Sequence, residues 1–145
     1  MARDITSDFN TAIIDTVVQP IFAIELELSD GTLRFWTGYG NITMTAGGSS
    51  KVFSGLGDFL GISPVSESST LQMQGINILL TGIKSSLISS ILSAQYTNRD
   101  ATLYMGLFNT SGAVIDDVYT LFKGKMDVCN ITENGETSNI SLNIE

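Results

Sequence analysis

From Ile21 to Leu28 the chain alternates, with Phe22, Ile24, Leu26 and Leu28 on one face of an extended run and Ala23, Glu25 and Glu27 on the other. This predicts a half-buried strand. Ser29-Asp30-Gly31-Thr32 is a tight-turn sequence leading into Leu33-Arg34-Phe35-Trp36, so the two runs read as a β-hairpin. Two blocks then end a strand-like run in an aromatic residue and turn on alternating glycines. They are Phe35-Trp36-Thr37-Gly38-Tyr39-Gly40 and Phe53-Ser54-Gly55-Leu56-Gly57-Asp58.

Before the first hairpin, Thr6 or Ser7 can cap a short helix with Phe9, Ile13 and Val17 on one stripe, ended by Pro20. After it, 42–45 and 51–53 form a second hairpin with 46–50 as its tip, and 60–64 reads as a short edge strand because Pro64 cannot donate to a ladder. Leu71 to Leu80 predicts a longer strand, apolar on both faces over 76–80 and therefore central. Between 83 and 94 the period changes, and Ile83, Leu87, Ile88, Ile91 and Leu92 fall at helical spacing. One amphipathic helix there would cover a sheet face. Strands follow at 101–108, 113–115, 119–130 and 138–144, with turns at Asn109-Thr110-Ser111-Gly112 and Glu133-Asn134-Gly135-Glu136. Asn-Gly is a strong two-residue hairpin signal. The fold class expected is mainly β, a barrel or sandwich of antiparallel strands with a flanking helix and a short N-terminal helix, in one domain over 1–145.

Composition narrows the chemistry. The 145 residues are 43% hydrophobic and 15% charged, which suits one folded domain with a core. No apolar run approaches the roughly 18 residues of a spanning helix, and the N-terminus lacks a signal peptide's apolar stretch, so no membrane anchor and a cytosolic origin are expected. With no histidine, Ser-His-Asp and Cys-His arrangements and the usual zinc sites are excluded. Cys129 is the lone cysteine and sits in a strand-like alternation, as a buried small hydrophobe would. A net charge of -8 would repel nucleic acid.

The remaining motifs are weak. Gly55 to Gly61 has one residue too many for a dinucleotide loop and no β-α-β context, and Gly124-Lys125 lacks the first glycine and final Ser or Thr of a phosphate loop. Asp58, Glu67 and Asp127 could supply a glycosidase pair, though solvated faces explain them more cheaply. In Lys84-Ser85-Ser86 the neighbours do not face each other on a helix. Asn-x-Ser/Thr at Asn41, Asn109, Asn130 and Asn139 is what an Asn-, Ser- and Thr-rich chain gives by chance. Trp36 and Tyr39 can pack a turn, anchor a protein interface or stack a sugar or base. No catalytic, cofactor or metal residue is assigned, and no enzyme activity is expected.

Leu33 to Gly40, Phe53 to Ile62, Gly75 to Ile83 and Leu121 to Asp127 occur in an order that resembles the N-terminal domain of tail-hub proteins from long-tailed bacteriophages and gene-transfer agents. The resemblance spans about Ile5 to Ile144. It implies a tail-tube-like fold closing into a homo-oligomeric ring, hexameric as first choice with a trimer open. It further implies a place in the virion tail as a hub or distal-tail ring, assembled in the host cytoplasm. The ring joins the tail tube to tip or fibre proteins, and DNA leaves through its lumen without specific binding. Longer members continue into a C-terminal part with cysteines suited to a metal cluster; nothing here matches those ligands, so no cofactor is carried over. Glu25 and Glu27, on the polar face of their strand, are the channel-lining candidates, and an acidic lumen would keep DNA from sticking. The alternatives are a virion β-sandwich that binds glycan or receptor through Trp36 and Tyr39, and a small carboxylate hydrolase.

Overall fold

A computed structural model describes residues 5–56, 59–64, 75–83, 85–115, 117–134 and 137–145. Nine strands join in one hydrogen-bonded ladder, β3-β4-β2-β1-β7-β8-β9-β6-β5. They are β1 (Gln19–Leu28), β2 (Gly31–Trp36), β3 (Asn41–Ala46), β4 (Ser49–Gly55), β5 (Phe59–Ile62), β6 (Ile76–Leu80), β7 (Asp100–Phe108), β8 (Tyr119–Asn134) and β9 (Thr137–Ile144), with helices α1 (Ser7–Ile13) and α2 (Ser85–Ser93). All pairs are antiparallel except β2 with β4, which run parallel over Phe35↔Ser54 and Trp36↔Gly55.

The ladder doubles over through β8. Its first part pairs with β7 from Met105↔Tyr119 to Asp100↔Lys125, and its second part pairs with β9 from Met126↔Ile144 to Asn134↔Thr137, with irregular register between Met126 and Cys129. A bulged strand that passes from one sheet to the other is the usual corner of a sandwich. The front sheet is β3-β4-β2-β1-β7-β8 and the back sheet β8-β9-β6-β5. Between them lies the main core, where Ile24, Leu26, Phe35 and Leu103 meet Ile78, Leu80, Ile140, Leu142 and Ile144. Helix α2 adds Ile88 and Ile91 to it. The C-terminal end of α2 is tied to the β1–β2 turn by Ser29 N–H to Gln95 C=O, 3.3 Å, and Gln95 N–H to Ser29 Oγ, 3.1 Å.

A second cluster lies on the far face of the front sheet. The β3–β4 hairpin leaves the sheet after its short pairing with β2 and arches over that face, packing Met44, Ala46 and Phe53 on Ile21, Ala23, Trp36 and Tyr104. Its tip meets the start of β8 through one bridge, Ala46↔Val118. The architecture is therefore a sandwich and not a closed barrel. Because the hairpin forms a third layer, β1 is buried on both faces from Ile21 to Leu26 apart from a partly covered Phe22, and the half-buried strand expected there is corrected.

Other expectations change for local reasons. Thr6 caps α1 and accepts the Phe9 N–H at 3.3 Å, but the helix stops at Ile13 and buries only Phe9, against Tyr119. The β-branched run that follows propagates a helix poorly, and Ile13, Ile14 and Val17 stay exposed. Gly47 and Gly48, both at positive φ, tighten the second hairpin tip to two residues. β5 ends at Ile62, before Pro64, and β6 lies between β5 and β9 but buries one face only, through Ile76, Ile78 and Leu80. Residues 71–74 of the expected longer strand lie outside the described residues. The stretch 113–115 makes one bridge, Phe108↔Val114, instead of a strand. In α2 Ile88 and Ile91 are buried while Leu92 is 65% exposed; the side chain of Leu87 lies outside those described.

Candidate functional site

The glycine-rich turn after β2 is a clasp joining β2 to β4. The Trp36 ring lies in the second cluster, edge-on to Phe108 at 6.3 Å between centroids. Its Nε1–H donates to Gly40 C=O at 2.9 Å, and the Gly55 N–H donates to that same oxygen at 2.7 Å. Leu56 N–H reaches Trp36 C=O at 3.2 Å. Glycine is required because the strands touch here: a Cβ on Gly38 would sit 2.1 Å from the Trp36 ring, and one on Gly55 would sit 2.2 Å from Gly38 C=O. Gly40 has a φ of +72°. The clasp separates the two sequence candidates. Trp36 is packed inside, whereas Tyr39, at the apex, is 88% exposed.

Below the hairpin tip, the far face of the front sheet carries charge. Register aligns Arg34, Glu25, Thr102 and Lys123 across β2, β1, β7 and β8, and the next position pairs Asp100 with Lys125. Glu25 Oε2 accepts from Arg34 Nε at 2.5 Å, and Oε1 accepts from Lys51 Nζ, on β4, at 3.0 Å. Lys51 also lies 5.8 Å from the centre of the Tyr104 ring. Asp100 is paired with Lys125 and more loosely with Lys123, at 3.9 Å.

Burial by itself would raise the Glu25 carboxyl, but the hydrogen bonds from Arg34 and Lys51 outweigh it and hold the group below its ordinary value. Burial would lower the Lys51 ammonium, and the bond it donates to Glu25 reverses that. Burial, then the Glu25 charge, pushes the Tyr104 phenol up, and burial pushes up the half-buried Cys129 thiol. The hydrogen bond from Lys125 holds Asp100 low.

A depressed folded-state value gives a defined pH response. Stability from Glu25 is fully present above about pH 4.3 and is lost as pH falls through the folded value. Asp100 contributes with the same sign, so the informative comparison is with Glu25→Gln. Urea midpoints measured from about pH 5 to about pH 3 are expected to fall more steeply in the native chain than in the variant. Equal slopes would contradict this account of Glu25.

Of the two lining candidates, Glu25 is only 7% exposed, with both carboxylate oxygens engaged, while Glu27 is exposed. The face they share also bears Arg34, Lys51, Lys123 and Lys125, four of the chain's seven basic residues, so it is mixed in charge. Sequence periodicity placed Glu25 on the correct face but could not reveal the hairpin layer above it. Arg34 and Lys51 went unnoticed because their link to Glu25 is tertiary; a buried acid flanked across a hairpin by Arg34 was the one available signal. Asp127 lies exposed on β8, and Asp58, Glu67 and Lys84 lie outside the described residues. Among the described residues no group of three or more His, Cys, Asp or Glu gathers as a metal site, and no helix is long and apolar enough to cross a membrane.

No family model matches this chain, and no curated protein matches it. Its fold is similar to a chain in the structure of the virion of a native gene transfer agent particle, with a TM-score of 0.54 at 15% identity, over 96% of this chain and 44% of that one. The chain thus spans less than half the length of that structural neighbour.

Proposed function

We propose that this chain is a structural subunit of a virion tail, a ring-forming hub or distal-tail component that joins the tail tube to tip or fibre proteins around the channel through which DNA leaves. The observation that carries this reading is the fold likeness to a gene transfer agent virion chain over almost the whole of this one. The surface supports it. Tyr39 stands out at the apex of a hydrogen-bonded clasp, and Ile13, Ile14 and Val17 form an exposed apolar stretch, both features of protein contacts. A paired aromatic platform for sugar is disfavoured because Trp36 is buried. In this reading the chain does no catalysis, takes no cofactor, and enters the virion in the host cytoplasm. Six copies remain the first choice and three the alternative. Glu27 is the better lining candidate, and Glu25 holds the hairpin layer to the sheet.

Tyr39→Ala tests the assembly role. Sedimentation and native mass measurement should find the unaltered chain in a ring or in a complex with tail proteins. The variant should lose association by about 2 kcal/mol per contact, with the subunit's own urea midpoint unchanged. A chain that stays monomeric with tail proteins present, or a variant that assembles equally well, would count against the proposal.

A further inference from the structure

We propose that the open part of the β3 edge and the segment 112–115 form a groove that accepts one extended, uncharged strand of a partner polypeptide, paired through its backbone to Thr43 and ending on the Thr45 N–H. β3 ends the front sheet, and its register with β4 is unbroken from Asn41↔Ser54 to Ala46↔Ser49. With Gly47-Gly48 as a two-residue turn, Ala46↔Ser49 is the bonded pair that closes the hairpin. Pairs alternate from there, so Ile42 and Met44 bond to β4 while Asn41, Thr43 and Thr45 direct N–H and C=O to the open side. One bond checks this independently: Thr45 C=O accepts the Val118 N–H at 3.0 Å from that side. Among the described residues, the outward groups of Asn41 and Thr43 and the Thr45 N–H meet no other backbone partner.

Natural sheets protect such edges with charges, proline, bulges or a covering loop, and here the chain at Val118 covers β3 only from the Thr45 C=O to Ala46. Asn41-Ile42-Thr43-Met44-Thr45-Ala46 has no charge, proline or bulge. Alongside it runs a groove of about 310 Å³ between residues 42–45 with Ser50 on one side and residues 112–115 on the other. The far wall is already set. Asn109 Oδ1 accepts the N–H groups of Ser111 and Ala113 at 2.9 and 3.0 Å, and Ile115 N–H donates to Leu107 C=O at 2.9 Å.

These features specify the occupant. An open row of ladder donors and acceptors pairs with an extended backbone. Every residue lining the groove is uncharged, so a charge entering it would meet no charged side chain to pair with. From Asn41 to Thr45 the edge is about 13 Å long at roughly 3.3 Å per residue, room for a short segment. The β3 edge of a second copy would bring its own 112–115 wall to the same groove. A free arm or loop of another tail protein has no such obstacle. The groove stands on this geometry whether or not the chain forms a ring.

The test uses the 145-residue chain, isotopically labelled, with acetylated and amidated Thr-Val-Thr-Val-Thr as probe. In the free chain the amides of Thr43 and Thr45 should exchange with solvent much faster than those of Ile42 and Met44. Millimolar probe should slow exchange at Thr43 and shift resonances of 41–45 and 112–115 saturably. The same peptide methylated at alternate amide nitrogens should do neither. Thr43→Pro removes an outward N–H at a position where edge strands tolerate proline, so it should abolish the response while leaving the β3–β4 pairing intact. If that variant fails to fold, the methylated peptide decides. Protection of Thr43 equal to that of Met44 in the free chain, no response to the probe, equal responses to both peptides, or shifts confined to β5 would overturn the proposal.

Discussion

Trp36→Ala is expected to destabilise the chain by about 3–5 kcal/mol, the range for removing a buried aromatic. The indole is 8% exposed, packs edge-on to Phe108 and supplies one of the two hydrogen bonds held by Gly40 C=O. Its loss empties the space under the β3–β4 layer and frees the turn that carries Tyr39. Urea unfolding measures the effect, together with proteolysis, which should cut first within 37–56. A cost below about 1 kcal/mol would mean that the ring is not a structural centre.

Gly55→Ala should be nearly as damaging, although it adds a single methyl group. The new Cβ would stand 2.2 Å from Gly38 C=O and 2.8 Å from Gly40 C=O, and both neighbours are backbone. Relief requires β4 to move away from the turn, which breaks the 2.7 Å Gly55 N–H bond and the two-residue parallel pairing with β2. The cost is expected at or above the upper end of the ~1–3 kcal/mol typical of overpacking. Gly61→Ala is the control, since its Cβ would meet nothing within 4 Å, and a change within about 0.5 kcal/mol is expected there. Equal melting temperatures for the two variants would contradict the clasp.

Local rules reached some parts of this structure and not others, and the division is physical. Turn chemistry and period-two alternation located β1, β2 and β7, and the Asn134-Gly135 signal found the β8–β9 hairpin one residue early, since Asn134 itself pairs with Thr137. The apolar stripe of α2 was legible because a helix repeats its pattern within about ten residues. What escaped was the consequence of layering. The alternation around Glu25 looks the same whether the polar face meets water or a hairpin that brings Lys51. The stripe of Phe9, Ile13 and Val17 has helical spacing, yet only Phe9 finds a surface to pack on. At the clasp the aromatic and glycine spacing was visible, but that Trp36 turns inward and Tyr39 outward depends on where β4 crosses.

The central claim is that this chain is a ring-forming tail subunit, and a cryo-electron reconstruction of the native particle tests it most directly. The account predicts copies of this fold arranged in a ring about the tail axis, with Tyr39 at a contact between neighbouring chains and Glu27 on the channel wall. Copies bound as monomers away from the axis, or a channel wall made mainly of Lys and Arg, would contradict it.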